Sequence, residues 1–490
     1  MTTTTVSSGQ TVSGGTFTSG NAEIVLSGGI ATGASILGGS QSISSGGVAT
    51  STTIASGGFQ YVSGGAAATS TIIGSGGTEV LSSTLEVVSV SFGISSSVLI
   101  SGSTSGVTIS SGGTLILNSG SVASRAIVEA GGSIQFDYGS AVDISITSGA
   151  TVTATNGGVT IGAIVSSGAV ETTIGSGAAL SSIVLSGGVL NDDYVANGTI
   201  LRGGTEQVSV AGAQAVNTIV SSGGILSVQA LAIGTIVSSG GTLSILQRGS
   251  GGRTTIENGG GATAYGGAHM SGVTVSSGGL LTVDSGASVR QVVLSGGGER
   301  VSSGGQASGT TVDGGTQSIL RGGYAFGALI DSGGRVIDYG GGIVSSASVQ
   351  SGGSLLVGSG ATISSITLNG GKATVSAGGV VSGITTFGTH GTLAVAAKNG
   401  EHLVGAAFRA TNTIDLTNFK FSAAEKLSFV ENAAKTGGLM TITDGALKAT
   451  VTLFGQYVAA GFHNAAQGAG TAITYTGTYH SGAELAAAHT

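Results

Sequence analysis

The stretch TVSSGGLLTVDSGASVRQVVLSGGGERVSSGG, from Thr274 to Gly305, decides the fold. It contains the triplet Ser-Gly-Gly three times, and apolar residues alternate with polar ones between the glycines. Alternation with period two is typical of β-strands, and Gly-Gly and Ser-Gly supply the backbone conformations that tight corners need. The stretch therefore predicts short strands joined by glycine corners.

These corners recur with a nearly constant spacing of 18 or 19 residues. In one series of corners, the first glycine of each corner is Gly240, Gly259, Gly278, Gly296, Gly314, Gly333, Gly352 or Gly370. A second series of corners lies between these. A hairpin meander needs no constant repeat length, whereas a coil does, because each turn must stack in register on the last. The sequence predicts an all-β fold, a parallel β-solenoid (β-helix) of about twenty coils, with two strands per coil.

The composition agrees with such a coil. The 490 residues include 95 Gly and no Pro or Cys, and 40% are hydrophobic, which separates the chain from disordered Gly/Ser segments. Glycine does not fall at every third position, so collagen is excluded. Proline would remove a hydrogen bond from a strand that is paired on both sides, and its absence fits central strands. We expect Val, Ile, Leu and Ala at the inward positions.

Charge and hydropathy exclude several partners. The net charge is −7 with only 15 Lys and Arg, so no basic patch suits nucleic acid. No apolar run approaches the ~18 residues of a membrane-spanning helix, which predicts no transmembrane segment. The N-terminal MTTTTVSSGQ has neither the basic nor the apolar region of a cleaved Sec signal.

The residue pattern gives no sign of catalysis. The six histidines lack metal-ligand spacing, and the single adjacent Asp pair, Asp192 and Asp193, would point to opposite faces of a strand. Regular coils leave little room for the long loops of a catalytic groove. We predict no catalytic, cofactor-binding or metal-binding residue, and no enzyme. The alternative is a polysaccharide-binding or polysaccharide-cleaving β-helix, which would need rows of exposed aromatics or converging carboxylates.

Two segments carry a family resemblance. The run ILGGSQSISSGGVATSTTIASGGFQYVSGGAAATSTIIGSGGTEV and the later TIVSSGG pairs resemble the AIDA-type repeats of self-associating autotransporter adhesins, over roughly residues 6 to 385. The resemblance implies a secreted bacterial surface protein used in adhesion, autoaggregation and biofilm, with O-glycosylated serines. Candidate glycosylation sites are the first serines of Ser-Ser-Gly-Gly, namely Ser110, Ser221, Ser238 and Ser276. Serine is also an ordinary turn residue, which is the alternative reading of these positions.

The repeat stops near residue 385, which predicts a solenoid domain over 1–385 and a β-rich capping, secretion or assembly module over 386–490. Strand-like runs are Leu439–Thr443, Lys448–Phe454 and Thr471–Tyr475. The module is similar to a C-terminal module of large repetitive secreted proteins of alphaproteobacteria, but Gln467–Thr471 lacks the Asp of their DGxGGT ending. The tail after 449 has Glu484 as its one formal charge and loosely resembles type I export signals.

Together these features predict a non-enzymatic structural or adhesive protein. We expect homo-association, end to end or lateral, and contacts with cell-surface or matrix glycans. The expected location is secreted or at the cell surface, by type I-like export, with cytoplasmic residence as the alternative.

Overall fold

The structure is a computed structural model that describes residues 2–82, 102–398 and 400–479. His480, Glu484 and His489 lie outside the described residues. The chain forms two compact units, residues 1–244 with 249–252, and residues 245–248 with 253–490. In each unit, strands pair in parallel with the equivalent strands of the coils before and after, and the described residues wind through about 21 turns in all. The predicted parallel β-solenoid is confirmed.

Among the described residues, nearly every coil contains three strands, which form three parallel sheets that we call A, B and C in chain order. The prediction of two strands per coil is wrong, because the second half of each repeat bends once more between sheets B and C. A single residue in the left-handed region makes that bend, and it is often not glycine: φ is 55° at Ser51, 53° at Arg125 and 53° at Gln291. The glycine pattern therefore marks two corners of each coil and misses the third.

The first unit contains the following strands. Sheet A has Thr3–Val6, Ala22–Val25, Ser40–Ile43, Phe59–Ser63, Thr78–Ser82, Thr114–Leu117, Ser133–Asp137, Thr151–Thr155, Val170–Ile174, Val189–Asp192, Thr205–Val208, Ile225–Val228 and Thr242–Ile245, whose last residue belongs to the second unit. Sheet B has Thr11–Ser13, Ile30–Thr32, Val48–Thr50, Ala67–Thr69, Ser103–Ser105, Val122–Ser124, Ser140–Val142, Val159–Ile161, Ala178–Leu180, Val195–Asn197, Gln214–Val216, Leu231–Ile233 and Ser250–Gly252. Sheet C has Thr16–Thr18, Ser35–Leu37, Thr53–Ala55, Ile72–Ile73, Thr108–Ile109, Ile127–Val128, Ser145–Ile146, Ile164–Val165, Ile183–Leu185, Ile200–Arg202, Ile219–Ser221 and Ile236–Val237.

The second unit repeats the arrangement. Sheet A has Gly261–Ala264, Leu280–Val283, Gly298–Val301, Thr316–Ile319, Arg335–Asp338, Ser354–Val357, Lys372–Val375, Thr392–Val395 and Thr413–Leu416. Sheet B has His269–Ser271, Ser288–Arg290, Gln306–Ser308, Tyr324–Phe326, Ile343–Ser345, Thr362–Ser364 and Val380–Val381. Sheet C has Thr255–Ile256, Thr274–Ser276, Val293–Ser295, Thr311–Asp313, Leu329–Ile330, Ser348–Gln350, Ile366–Asn369, Ile384–Phe387 and Glu401–Ala406.

Antiparallel strands cap the second unit. The strands Lys426–Glu431, Gly437–Asp444 and Leu447–Phe454 extend sheet C, while Phe462–Gln467 and Gly470–Tyr475 extend sheet A. A short 3-10 helix, Ala459–Gly461, precedes the last pair. The three strands predicted from the sequence in this segment are confirmed. The cap gives the last coil strands of sheets A and C a hydrogen-bonding partner, which covers otherwise open sheet edges.

The core has a different residue type on each sheet. Sheet A points its second and fourth residues inward, sheet B points a small residue inward, usually alanine such as Ala196, and sheet C points a branched one such as Val184. Small side chains on sheet B let the three sheets close around a narrow core at normal packing density.

The two glycines of a corner have different reasons to be glycine. Gly333 has φ 77°, a backbone conformation that other residues rarely adopt. Gly334 has ordinary φ, but a Cβ on it would overlap the carbonyl oxygen of Val312 in the preceding coil. The first glycine makes the turn, and the second lets successive coils approach closely.

Candidate functional site

The outer surface of the first unit carries a double column of apolar side chains along the corner between sheets B and C. We call this feature the isoleucine ridge. Its members are Ile161, Leu180, Val216 and Ile233 on sheet B and Ile164, Ile183, Ile200, Ile219 and Ile236 on sheet C. On sheet C the five isoleucines are direct partners in five successive coils. On sheet B one polar residue, Asn197, interrupts the column.

Strand alternation forces these side chains outward. In Val159–Ile161 and Ile183–Leu185 the middle residue is buried, so the flanking residues face solvent. Ile161, Ile164 and Ile219 are 38%, 39% and 36% exposed, and the other members are partly exposed. No ridge member carries a charge. The ridge is therefore an uncharged, largely apolar strip on a weakly charged protein, continuous on sheet C and interrupted on sheet B by Asn197, a kind of surface that usually marks an interaction site.

The solenoid fold does not itself require this ridge. In the second unit the equivalent positions are mostly polar, with Ser and Thr pairs such as Ser271 with Thr274. An apolar pair, Phe326 and Leu329, has polar neighbours in the coils on either side. Because both kinds of coil fold, the isoleucines of the first unit are explained by the surface they make and not by folding alone.

The four serines predicted as glycosylation sites occupy one kind of position, at the end of a sheet C strand (Ser221 and Ser276) or directly after it (Ser110 and Ser238), before the corner to sheet A. All four are half-buried. The Ser110 hydroxyl donates to Glu129 Oε2 at 2.8 Å, and the Ser221 hydroxyl donates to the Leu201 carbonyl at 3.2 Å. The next serine in each motif is exposed instead, as at Ser111 and Ser277. Glycosylation of Ser110, Ser221, Ser238 and Ser276 remains a prediction.

Buried polar side chains form columns inside the core, where the sequence predicts only apolar and small residues. Glu23, Gln41, Gln60 and Glu79 are partners in successive coils of sheet A. The Gln41 amide donates to Glu23 Oε2 at 2.7 Å, and the Gln60 amide donates to Gln41. In the second unit the Gln317 amide donates to Glu299 Oε2 at 2.8 Å. The sequence signal was the spacing of 19 and 18 residues between these positions.

Three carboxyl groups lie close together inside the first unit: Glu171, Asp192 and Glu206, all fully buried. Glu171 accepts hydrogen bonds from the hydroxyls of Thr160 and Ser182, and Asp192 accepts one from Thr173 at 2.9 Å. One oxygen of Glu171 and one of Glu206 have no partner. These groups line the core and not a cleft.

Burial raises the pKa of these carboxyl groups, because a charged carboxylate is poorly solvated in the core. The pKa of Glu206 rises to about 8, through burial first and the neighbouring Asp192 second. Burial raises the pKa of Glu79 to about 8, of Glu299 to about 7 and of Asp192 to about 6. At neutral pH Glu79 and Glu206 are therefore largely protonated and neutral.

Among the residues that the structure describes, no three His, Asp or Glu side chains gather in a way that could hold a metal ion. No helix in the same ranges is long and apolar enough to cross a membrane.

Comparisons with known proteins give likenesses among solved structures. No family model and no curated protein matches the chain. Among solved structures, the crystal structure of a TibC-catalysed, hyper-glycosylated TibA55–350 fragment aligns at 29% identity and a TM-score of 0.47. The alignment covers 61% of this chain and 96% of that one. A likeness with a TM-score below 0.5 carries no argument about the fold, which is assigned from the pairing of this chain's own strands.

Proposed function

We propose that this chain is a non-enzymatic, self-associating structural or adhesive protein of the bacterial surface or extracellular matrix, similar to AIDA-type adhesin passengers. The observation that carries the proposal is the isoleucine ridge. A second copy of the chain is the occupant that fits it, because both ridges repeat with the same ~4.8 Å coil spacing. Apolar side chains of one copy can then fall between those of the other along the whole strip.

The size of the ridge predicts weak association. A third-exposed isoleucine shows roughly 50–60 Å² of apolar surface, and six of the nine members are less exposed than that, so the ridge buries at most about 500 Å² per copy, against about 800 Å² in a standard interface. Pairs of molecules should therefore form and separate readily in dilute solution. Many copies held close together on a surface would associate more firmly, since linked weak contacts reinforce one another.

The position of the carboxyl groups supports a structural role over polysaccharide cleavage. A glycosidase needs two carboxyl groups that face each other across a solvent-accessible groove. Glu171, Asp192 and Glu206 are neighbours, but they are buried in the core. Secretion or surface display, lateral assembly in a biofilm, and glycosylation at Ser110, Ser221, Ser238 and Ser276 belong to the same proposal. So does the division into a solenoid over 1–385 and a module over 386–490.

Sedimentation equilibrium tests the proposal with a variant in which Ile161→Ser, Ile164→Thr, Ile183→Thr and Ile219→Thr are combined. These are the residue types that the second unit carries at the same coil positions, so the variant should fold. We expect the wild-type chain to show concentration-dependent self-association and the variant to raise the Kd at least about tenfold, because it loses several kcal/mol of apolar burial.

The control makes the same kind of change at two positions on another face. Ile174 and Ile225 are both 43% exposed on sheet A, and replacing both with Thr should leave the Kd unchanged. A wild-type chain that stays monomeric at millimolar concentration, or equal weakening by both variants, would refute the ridge as the site of self-association.

A further inference from the structure

A surface depression of about 280 Å³ lies on the outer face of sheet A in the first unit. Three successive strands form it, Thr114–Leu117, Ser133–Asp137 and Thr151–Thr155. Its lining includes Ile116, Asn118, Gln135, Asp137, Thr153 and Thr155. Ile116, Gln135 and Thr153 are direct partners across the three strands, and Asp137 pairs with Thr155. The strands therefore hold these groups in fixed relative positions.

The lining combines an aliphatic patch with planar polar groups. Ile116 is half-buried and Gln135 is exposed. The Thr155 hydroxyl donates to the Phe136 carbonyl at 2.9 Å, so its oxygen remains an acceptor. Asp137 Oδ1 is shielded from solvent and has no hydrogen-bond partner. An unpartnered shielded carboxylate oxygen is costly, and a turn of the Asp137 carboxylate toward the depression would let a ligand hydroxyl or amine satisfy it.

An exposed tyrosine stands at the end of the depression in an uncommon conformation. Tyr138 follows Asp137 and is 61% exposed. Its φ is 59°, in the left-handed region that Gly120 occupies at the adjoining corner. A Cβ on Gly157 would lie 3.1 Å from the Tyr138 ring, so the missing side chain of Gly157 makes room for the ring. Strained residues with exposed aromatic rings often occur at ligand sites, and aromatic rings suit the apolar face of a sugar.

We propose that this depression is a saccharide-binding subsite for one neutral or amino sugar ring of a glycan. Asp137 and Gln135 would bind ring hydroxyls, and Ile116 and Tyr138 would contact the apolar face of the ring. Asp137 repels a uronic or sialic acid and attracts an ammonium group. The volume is below the ~300–1,000 Å³ of typical small-molecule sites, which limits the ligand to about one ring. This site is distinct from the ridge and does not depend on self-association.

A glycan array probed with the full chain tests the inference. The array carries neutral, amino-sugar and acidic oligosaccharides, and the tighter binders are then titrated calorimetrically. We expect binding to neutral or amino-sugar glycans and none to acidic ones. The Asp137→Asn and Tyr138→Gly variants should each weaken that binding at least tenfold. Tyr138→Gly also removes the left-handed strain, so its thermal unfolding temperature should not fall below that of the wild type, which separates lost binding from misfolding.

Tyr339 supplies the matched control. It is 60% exposed and also follows an aspartate at the end of a sheet A strand. That aspartate, Asp338, points into the core and is fully buried, whereas Asp137 lies on the outer face of its strand, so Asp338 cannot serve a surface ligand. Tyr339→Ser should leave glycan binding unchanged. The inference is overturned if no neutral or amino-sugar glycan binds, if acidic glycans bind equally well, or if Tyr138→Gly binds as tightly as the wild type.

Discussion

Replacing Glu206 with Gln is expected to stabilise the chain strongly at alkaline pH and hardly at all at pH 4. The pKa of Glu206 rises from 4.5 to about 8 because the group is buried beside Asp192. At about 1.4 kcal/mol for each factor of ten in proton affinity, ionising it in the core costs up to about 5 kcal/mol. Glutamine keeps the shape of the protonated side chain and cannot ionise, so the variant avoids this cost.

The direction of the pH dependence follows from proton uptake. Between pH 4.5 and about 8 the folded chain keeps a proton on Glu206 that the unfolded chain has released. Stability therefore falls as pH rises across that window, and it is level below and above it. Glu79 and Glu299 also lower the stability of the folded chain as the pH rises, Glu79 up to about pH 8 and Glu299 up to about pH 7. The wild-type chain should be most stable near pH 4–5, an unusually acidic optimum.

Urea unfolding followed by circular dichroism at pH 4, 6 and 9 measures this effect. Glu299→Gln is a second variant with a precedent in the chain itself, because it recreates the buried Gln41–Gln60 pair. Glu431 is exposed, so Glu431→Gln is the control and should leave the urea midpoint unchanged at every pH. A wild-type midpoint that rises from pH 4 to pH 9, or a Glu206→Gln variant with unchanged pH dependence, would contradict the buried, protonated state.

Replacing Gly334 with Ala is expected to destabilise the second unit by about 2–4 kcal/mol, or to prevent folding. The added Cβ would overlap the carbonyl oxygen of Val312, and backbone atoms cannot move aside as a side-chain tip can. The coils on both sides would have to separate, which breaks parallel pairing in sheets that depend on their neighbours. Thermal and urea unfolding measure the loss.

Gly261 is the control for this substitution. It lies within a sheet A strand, and a Cβ on it would meet no atom within 4 Å. Gly261→Ala should change stability by less than about 0.5 kcal/mol, or raise it slightly by restricting the unfolded chain. Equal effects of the two substitutions would mean that the second glycine of a corner is not needed for close stacking of coils.

The repeat length was sufficient to predict the parallel solenoid, because only stacked coils require a constant 18–19 residues. The third strand of each coil could not be predicted from glycine positions. Its corner needs one left-handed residue, and Ser, Arg, Asp, Asn and Gln all supply it, as at Arg125 and Asn217. Polar residues tolerate this conformation at a modest cost that the two flanking sheets offset.

The buried carboxyl groups were missed for a different reason. Acidic residues in a sequence are ordinarily surface residues, so a pair such as Asp192 and Asp193 gives no sign of burial. In the structure Asp192 ends the strand Val189–Asp192 and points inward, where backbone amides of Tyr194 and Ala196 bind it at 3.1 Å. Such hydrogen bonds come from the fold and have no signature in the local sequence.

The sequence does contain a pattern that indicates the ridge, namely the regular spacing of its isoleucines. The isoleucines Ile164, Ile183, Ile200, Ile219 and Ile236 recur at 17 or 19 residues, each directly before a buried Val or Leu. Recognising them as outward-facing requires the position of the third corner, which the glycines do not mark. The depression beside Tyr138 depends on which side chains three strands bring together, so the sequence alone could not indicate it.

Single-cysteine cross-linking tests the ridge as a contact between copies most directly. The chain has no native cysteine, so Ile200→Cys places one thiol at the centre of the ridge, and Ile225→Cys places one on sheet A. With a short bismaleimide at a concentration where the wild type associates, Ile200→Cys should give mainly cross-linked dimer and Ile225→Cys mainly monomer. Equal yields from the two variants, or a higher yield from Ile225→Cys, would contradict self-association through the ridge.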